Sequence, residues 1–296
     1  MHRHNCLTIA FLVFTTAAVS FAQSATLAPV KTGYAPVNGL SLYYEIHGAG
    51  TPLILLHGGL GSTESIANLT TALSQTHQVI AADLQAHGRT ADIDRAITCQ
   101  AMADDIAALI KFLHIDKADA MGYSLGACVA LQLTIRHPGS VRKLVVVSTV
   151  FKRTGWYPEN LAQMDQLGPA SAEMMKPSPL YQTYARIAPK PENWPVLVTK
   201  IGDSLRKDFD WSKDVAAITA PTMLVFGDAD AVRPQHIVEF FALLGGGLKD
   251  AGWDGSGMSR ARLAILPGVT HYNMTDSPAL VPTVLPFLEA PIPVAK

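Results

Sequence analysis

The chain has 296 residues, of which 49% are hydrophobic and 16% charged, and its formal net charge is −1. This balance suits a globular protein with one large core and room for a small insertion, and it excludes a disordered chain. The near-neutral charge leaves no electrostatic footprint for nucleic acid or an anionic membrane, so neither is expected as a partner.

The N-terminus reads as an address rather than as part of the fold. Met1-His2-Arg3-His4 is a short basic start, residues 7–19 are apolar but too few to span a bilayer, and Ser20 and Ala22 place small side chains at a cleavage site. Residues 1–22 are therefore expected to be a secretory signal peptide cut after Ala22. The mature chain would then be periplasmic or secreted, with no stable membrane anchor. Removing the signal leaves Cys99 and Cys128. In an oxidising compartment they could pair or remain two separate buried thiols, and their spacing does not decide between these.

Residues 40–46 alternate and predict an early strand. Residues 52–57, 79–83, 118–121, 143–148, 222–227 and 262–267 are short apolar runs, as expected of strands buried on both faces. Helical periodicity falls between them, at 65–74, 102–113, 127–136, 237–244 and 281–288. Strands alternating with helices predict an α/β fold with a mostly parallel central sheet flanked by helices, whose ligands bind beyond the carboxyl ends of the strands. Residues 151–211 break the alternation: they carry Pro158, Pro169, Pro177, Pro179, Pro189, Pro191 and Pro195 and no strand-like run. They are expected to form a helical lid inserted into a core made of 23–150 and 212–296. The glycine-rich stretch 245–259 reads as a surface loop, and no internal repeat is present.

Gly122-Tyr123-Ser124-Leu125-Gly126 stands between a predicted strand and a predicted helix. A serine on such a turn presents its hydroxyl at the top of a sheet, and the flanking glycines relieve a turn too cramped for side chains. Composition alone would produce such a pentapeptide roughly one time in ten, so its context matters. Upstream, a buried strand delivers His57-Gly58-Gly59-Leu60-Gly61, and the N–H groups of Gly59 and Leu125 are expected to form a two-donor oxyanion hole. His57 is expected to orient that turn. His87 and Arg89 lie in a second turn, read as one held by Arg89. Downstream, Gly227-Asp228-Ala229-Asp230 follows a strand. Asp230, deeper in the turn, is taken as the acid, and Asp228 as a turn or cap residue. His271, beyond the last strand, is taken as the base.

These pieces resemble the α/β-hydrolase fold superfamily from about Leu40 to Phe287. The matching segments are the His57-Gly58-Gly59 turn, Asp83…Gly88-Arg89, the Ser124 elbow, Gly227…Asp230 and Gly268…His271, with Ser124, Asp230 and His271 in that superfamily's order. Within it the chain is most similar to bacterial single-domain serine esterases with a helical lid, some of which open macrolide antibiotics at their lactone ester. Leu60 stands where proline iminopeptidases carry a proline, and Ser124 where haloalkane dehalogenases and soluble epoxide hydrolases carry an aspartate.

The resemblance implies a serine hydrolase that cleaves carboxylic esters or lactones through an acyl-enzyme, macrolide lactones being one candidate. Two further readings keep the same triad: a cofactor-free haloperoxidase or perhydrolase, and a C–C bond hydrolase. A reading of another class is a ligand-binding receptor with little turnover. Leu60, Tyr123, Trp156, Met175, Tyr181 and Tyr184 are expected to bind substrate. Charged residues do not cluster along the sequence, which points to a neutral, apolar small-molecule ester. The sequence holds no metal-ligand motif and no dinucleotide or phosphate-loop glycine motif, so no metal or cofactor is expected.

Overall fold

The structure is a computed structural model that describes residues 31–292. The signal peptide expected at 1–22 lies outside the described residues. The fold begins with a hairpin, β1 (Lys31–Val37) and β2 (Leu40–His47), in which Val37 pairs with Leu40. The two turn residues, Asn38 and Gly39, have φ of 46° and 83°, the positive values that a two-residue turn demands and that Asn-Gly supplies. β1 carries no strand signal in the sequence because Gly33 and Pro36 interrupt it. Proline is tolerated there because β1 is an edge strand.

Six more strands follow among the described residues: β3 (Thr51–Leu56), β4 (His77–Ala82), β5 (Ala118–Tyr123), β6 (Val141–Val147), β7 (Thr222–Ala229) and β8 (Ala261–Thr270). The sheet order is β1-β2-β4-β3-β5-β6-β7-β8. β2 runs antiparallel to β1 and β4, and every later pairing is parallel. Leu53 to Leu56 and Leu144 to Val147 are at most 1% exposed, which is why the central strands read as unbroken apolar runs.

The helices are α1 (Ala67–Leu73), α2 (Cys99–Phe112), α3 (Leu125–Arg136), α4 (Pro158–Asp165), α5 (Pro169–Met174), α6 (Pro179–Ile187), α7 (Trp194–Leu205), α8 (Ser212–Ala216), α9 (Pro234–Leu243) and α10 (Leu280–Glu289). α1 and α10 cover one face of the sheet; α2, α3, α9 and the helices between β6 and β7 cover the other. Three of the seven prolines that break the sequence pattern there are α-helix starts. Pro158, Pro169 and Pro179 open α4, α5 and α6, where their missing N–H costs no helical hydrogen bond.

This helical segment is tied to the core at several points. Trp156 bridges to Val232, Lys200 pairs with Asp92 at 2.6 Å, and Arg186 shares Glu64 with Arg89. The hydrogen bonds from Arg186 and Arg89 hold the Glu64 carboxyl below the usual carboxylate range, against the opposing effect of burial.

Cys99 and Cys128 form a disulfide, with their Cα atoms 5.8 Å apart, joining the first turns of α2 and α3. This resolves the alternative that sequence spacing left open. The bridge closes a loop 29 residues long. By loop-closure entropy it is expected to contribute about 3–4 kcal/mol to stability. Urea unfolding of the oxidised protein and of a Cys99→Ala/Cys128→Ala double variant measures this. Equal midpoints would remove the bridge from the account of stability.

Candidate active site

Ser124 is the single residue between β5 and α3. Its φ of 54° and ψ of −114° lie outside the regions an L residue ordinarily occupies, at a cost of order 1–3 kcal/mol. Two hydrogen bonds hold the turn: Ser124 N–H donates to Val147 O (2.9 Å), and Cys128 N–H donates to Ser124 O (3.0 Å). The flanking glycines are required sterically. A Cβ on Gly122 would lie 2.1 Å from Gly126 O, and one on Gly126 would lie 2.4 Å from Leu56 O. The backbone crowding that raises Ser124 off the sheet is therefore encoded in the pentapeptide itself.

Asp230 follows β7 and is buried. Its Oδ1 accepts from His271 Nδ1 (3.1 Å) and Val232 N–H (3.4 Å); its Oδ2 accepts from Gly227 N–H (3.1 Å) and from the Ser148 hydroxyl. Burial alone would raise this carboxyl, but the His271, Ser148 and Gly227 hydrogen bonds outweigh it and hold Asp230 below the usual range. Asp228 sits at the turn, accepting Val269 N–H at 3.3 Å.

His271 follows β8, with Nε2 3.1 Å from Ser124 Oγ. Because Nδ1–H is donated to Asp230, Nε2 is left as the acceptor facing the hydroxyl. The imidazole is enclosed by Tyr123, Trp156 and Tyr272, with ring centroids 5.3, 5.5 and 5.6 Å away. Tyr123, expected to bind substrate, instead donates its hydroxyl to His271 O (2.6 Å). Burial raises its phenol further, so it stays a donor.

The turn after β3 brings Gly59 beside the elbow: a Cβ there would lie 3.9 Å from Leu125 Cβ. His57 holds this turn from within. Its Nδ1–H donates to Gly58 O (2.7 Å) and its Nε2 accepts Leu84 N–H (3.1 Å). Burial, with the neighbouring His87 ring, pushes His57 down to about 3, so it is a neutral positioning group. The second turn is organised differently from the sequence expectation. Asp83, not the Arg89 side chain, is its centre, accepting from Thr63 N–H and Arg89 N–H at 2.7 Å each. The Arg89 guanidinium pairs with Glu64 at 2.6 Å. Gly88, at φ 50°, leaves room for the Asp83 carboxylate, which a Cβ would meet at 2.3 Å. His87 is fully buried beneath the turn and pushed down to about 4 by burial.

Ser124, Gly59, Leu125 and Trp156 line one cavity of about 450 Å³. The other residues expected to bind substrate lie elsewhere. Leu60 and Tyr184 border a separate depression of about 260 Å³. Tyr181 and Tyr184 pack on Trp194 at 5.5 and 5.2 Å, and Met175 packs into the core of the helical segment. The apolar wall comes instead from Ile201 and Leu205 of α7, from Phe209 and Trp211 beyond it, and from the disulfide. Charged groups separated along the sequence also meet here, since Arg153 and Lys207 line the same cavity. A larger depression of about 780 Å³, between loop 245–259 and the β8 edge, contains none of the site residues.

Ser148 had escaped the sequence reading. A serine one residue past a strand gives no signal, yet its hydroxyl is buried against Asp230. A hydrogen bond to a charged group is typically worth about 1.5–3 kcal/mol, so Ser148→Gly, which suits the φ of 53°, is expected to lower kcat by roughly tenfold with KM unchanged. A variant with wild-type kcat would show that the hydroxyl does not support the acid.

A hydroxyl, an imidazole and a buried carboxylate in series can move a proton off the hydroxyl and return it to a leaving group, and paired amides can hold an oxyanion. Residues 51–213 match the alpha/beta hydrolase fold family, and the chain belongs to it and is a hydrolase. It is 28% identical over 253 residues to a putative carbamate hydrolase RutD of Azorhizobium caulinodans, covering 74% of this chain and 87% of that one. A putative esterase/lipase of Haemophilus influenzae is 31% identical over 111 residues, 36% of this chain and 38% of that one. The carboxylesterase CesB of Bacillus subtilis shares the fold with a TM-score of 0.66 at 20% identity, over 88% of this chain and 92% of that one.

Proposed function

We propose that the protein is a serine hydrolase acting on carboxylic esters or lactones through an acyl-enzyme. The observation that carries this reading is the 3.1 Å contact of His271 Nε2 with Ser124 Oγ, continued by the 3.1 Å contact of Nδ1 with Asp230. Ser124 attacks the acyl carbon as His271 takes its proton, and the Gly59 and Leu125 amides receive the oxyanion. His271, now cationic beside the Asp230 carboxylate, returns the proton to the leaving alcohol. Water then repeats the sequence and frees the acid. A cavity of about 450 Å³, near the lower end for drug-sized ligands, favours a small ester over a macrolide.

The relative named a putative carbamate hydrolase supports a second reading, a carbamate cleaved by the same residues. A panel of p-nitrophenyl esters, aliphatic lactones, macrolides and an aryl carbamate separates these. Hydrolysis of esters or lactones at higher kcat/KM than the carbamate supports the first reading, and the reverse order supports the second. Peroxide-dependent halogenation without ester turnover would replace both by the perhydrolase chemistry, and tight binding without turnover by a receptor. We further propose that the mature enzyme works in the periplasm or outside the cell. The N-terminal sequence supports this, as does the Cys99–Cys128 disulfide, which belongs to an oxidising compartment. In this arrangement the helical segment between β6 and β7 acts as the lid of the site.

A further inference from the structure

The cavity that holds Ser124 has polar lining that acyl transfer does not use. Thr98, Cys99 and Gln100, the N-cap and first two residues of α2, lie in its wall. Ala101 N–H is taken by the Thr98 hydroxyl and Met102 N–H by the Thr98 carbonyl, each at 3.1 Å. The Cys99 and Gln100 N–H groups have no partner among the described residues. This 14-residue helix therefore brings two free donors and the positive end of its dipole to the cavity.

A second observation, independent of the helix, points to a ligand in the same cavity. Thr149 is 3% exposed and lines this cavity, and its hydroxyl has no hydrogen-bond partner among the described residues. A hydroxyl on so buried a residue is ordinarily paired, and one that borders a cavity without a protein partner is free to bond a ligand atom there. Lys207 also lines the cavity and makes no ion pair among the described residues. Arg153 nearby is already engaged, by Asp165 at 2.6 Å and Leu205 O at 2.9 Å. Asp208, the acidic residue of the lining, lies 3.9 Å from Arg153 with its side chain 94% exposed.

We infer that the substrate carries a carboxylate, held in this cavity by Lys207, the Thr149 hydroxyl and the first amides of α2 while its ester carbonyl lies at Ser124. The inference rests on the acyl-transfer reading above and replaces the neutral, apolar ester expected from sequence. An apolar chain filling this cavity would leave a buried hydroxyl and two amides without partners, a mismatch that binding sites reject strongly. The neighbouring apolar wall of Ile201, Phe209 and Trp211 suits the hydrocarbon between the two carbonyl groups of such a substrate.

The test compares the p-nitrophenyl monoester of glutaric acid with p-nitrophenyl pentanoate, two acyl groups of equal length. The wild-type kcat/KM is expected to favour the glutarate by roughly tenfold or more, the factor that corresponds to 1.4 kcal/mol. Lys207→Met and the isosteric Thr149→Val should each lower that ratio, and Lys207→Glu should reverse it. Equal or preferred turnover of the pentanoate, or an unchanged ratio in Lys207→Glu, overturns the subsite and leaves the hydrolase reading standing. Fluorophosphonate labelling of Ser124 without turnover of either ester also overturns only the subsite. If Ser124 is not labelled and neither ester reacts, the hydrolase reading falls and the subsite with it.

Discussion

Replacing Ser124 by alanine is expected to lower kcat for ester hydrolysis by about a millionfold, the loss seen when a serine nucleophile is removed from a triad. The fold should survive, because alanine keeps the small Cβ that the crowded turn already accepts beside Gly122 and Gly126. Some rate above the uncatalysed reaction, about 10³–10⁴-fold, should remain from the Gly59 and Leu125 amides and from binding. His271→Ala should cost nearly as much alone, and combining it with Ser124→Ala should add almost nothing, since the two act as one unit. Asp230→Asn should cost less, about 10⁴-fold, by leaving the imidazole in the wrong tautomer. Steady-state kinetics of the four variants with thermal melts as the folding control checks the pattern. A Ser124→Ala enzyme with more than a few per cent of wild-type kcat contradicts it.

The second large effect concerns stability in acid. His57, His87 and His236 are at most 2% exposed, and burial pushes them down to about 3, about 4 and about 3. A histidine depressed in the folded state binds its proton first in the unfolded chain. Its contribution is complete above pH 6.5 and is lost as pH falls from there toward 3 to 4. At pH 5 each costs about 2 kcal/mol relative to pH 8. Asp83 works in the opposite direction: burial raises it to about 6, so the folded state takes up its proton first and regains about 1 kcal/mol by pH 5. The balance is a loss of about 5 kcal/mol, comparable to the whole stability of many domains. Calorimetry at pH 8 and pH 5 should show Tm falling by about 10–20 °C. His236→Asn should make the fall shallower. A Tm independent of pH over this range contradicts the assignment of these three rings as neutral.

The central sheet was readable because parallel strands buried on both faces leave unbroken apolar runs, as in β3 and β6. β1 was not, because Gly33 and Pro36 mask an exposed edge strand. The Asn38-Gly39 pair ahead of an alternating strand was the signal that could have revealed it. The candidate site divides the same way. Ser124, Asp230 and His271 each follow a strand end on the same edge of the sheet, so the topology brings His271 within 3.1 Å of both Ser124 and Asp230. Ser148 reaches Asp230 across the ends of β6 and β7, a contact that a lone serine does not announce, and the cavity wall depends on how α7 and the segment after it dock. Residues as distant as Gln100 and Lys207 meet there, and neither composition nor periodicity records that docking. Aromatic content drew the sequence reading to Tyr181 and Tyr184, which serve to pack around Trp194.

Intact-protein mass spectrometry after treatment with a fluorophosphonate tests the central claim most directly. The account predicts a single adduct, mapped by proteolysis to Ser124, with complete loss of hydrolysis and no adduct on the folded Ser124→Ala variant. An unlabelled Ser124 in folded, untreated-like protein, or full hydrolysis after its labelling, would contradict the account.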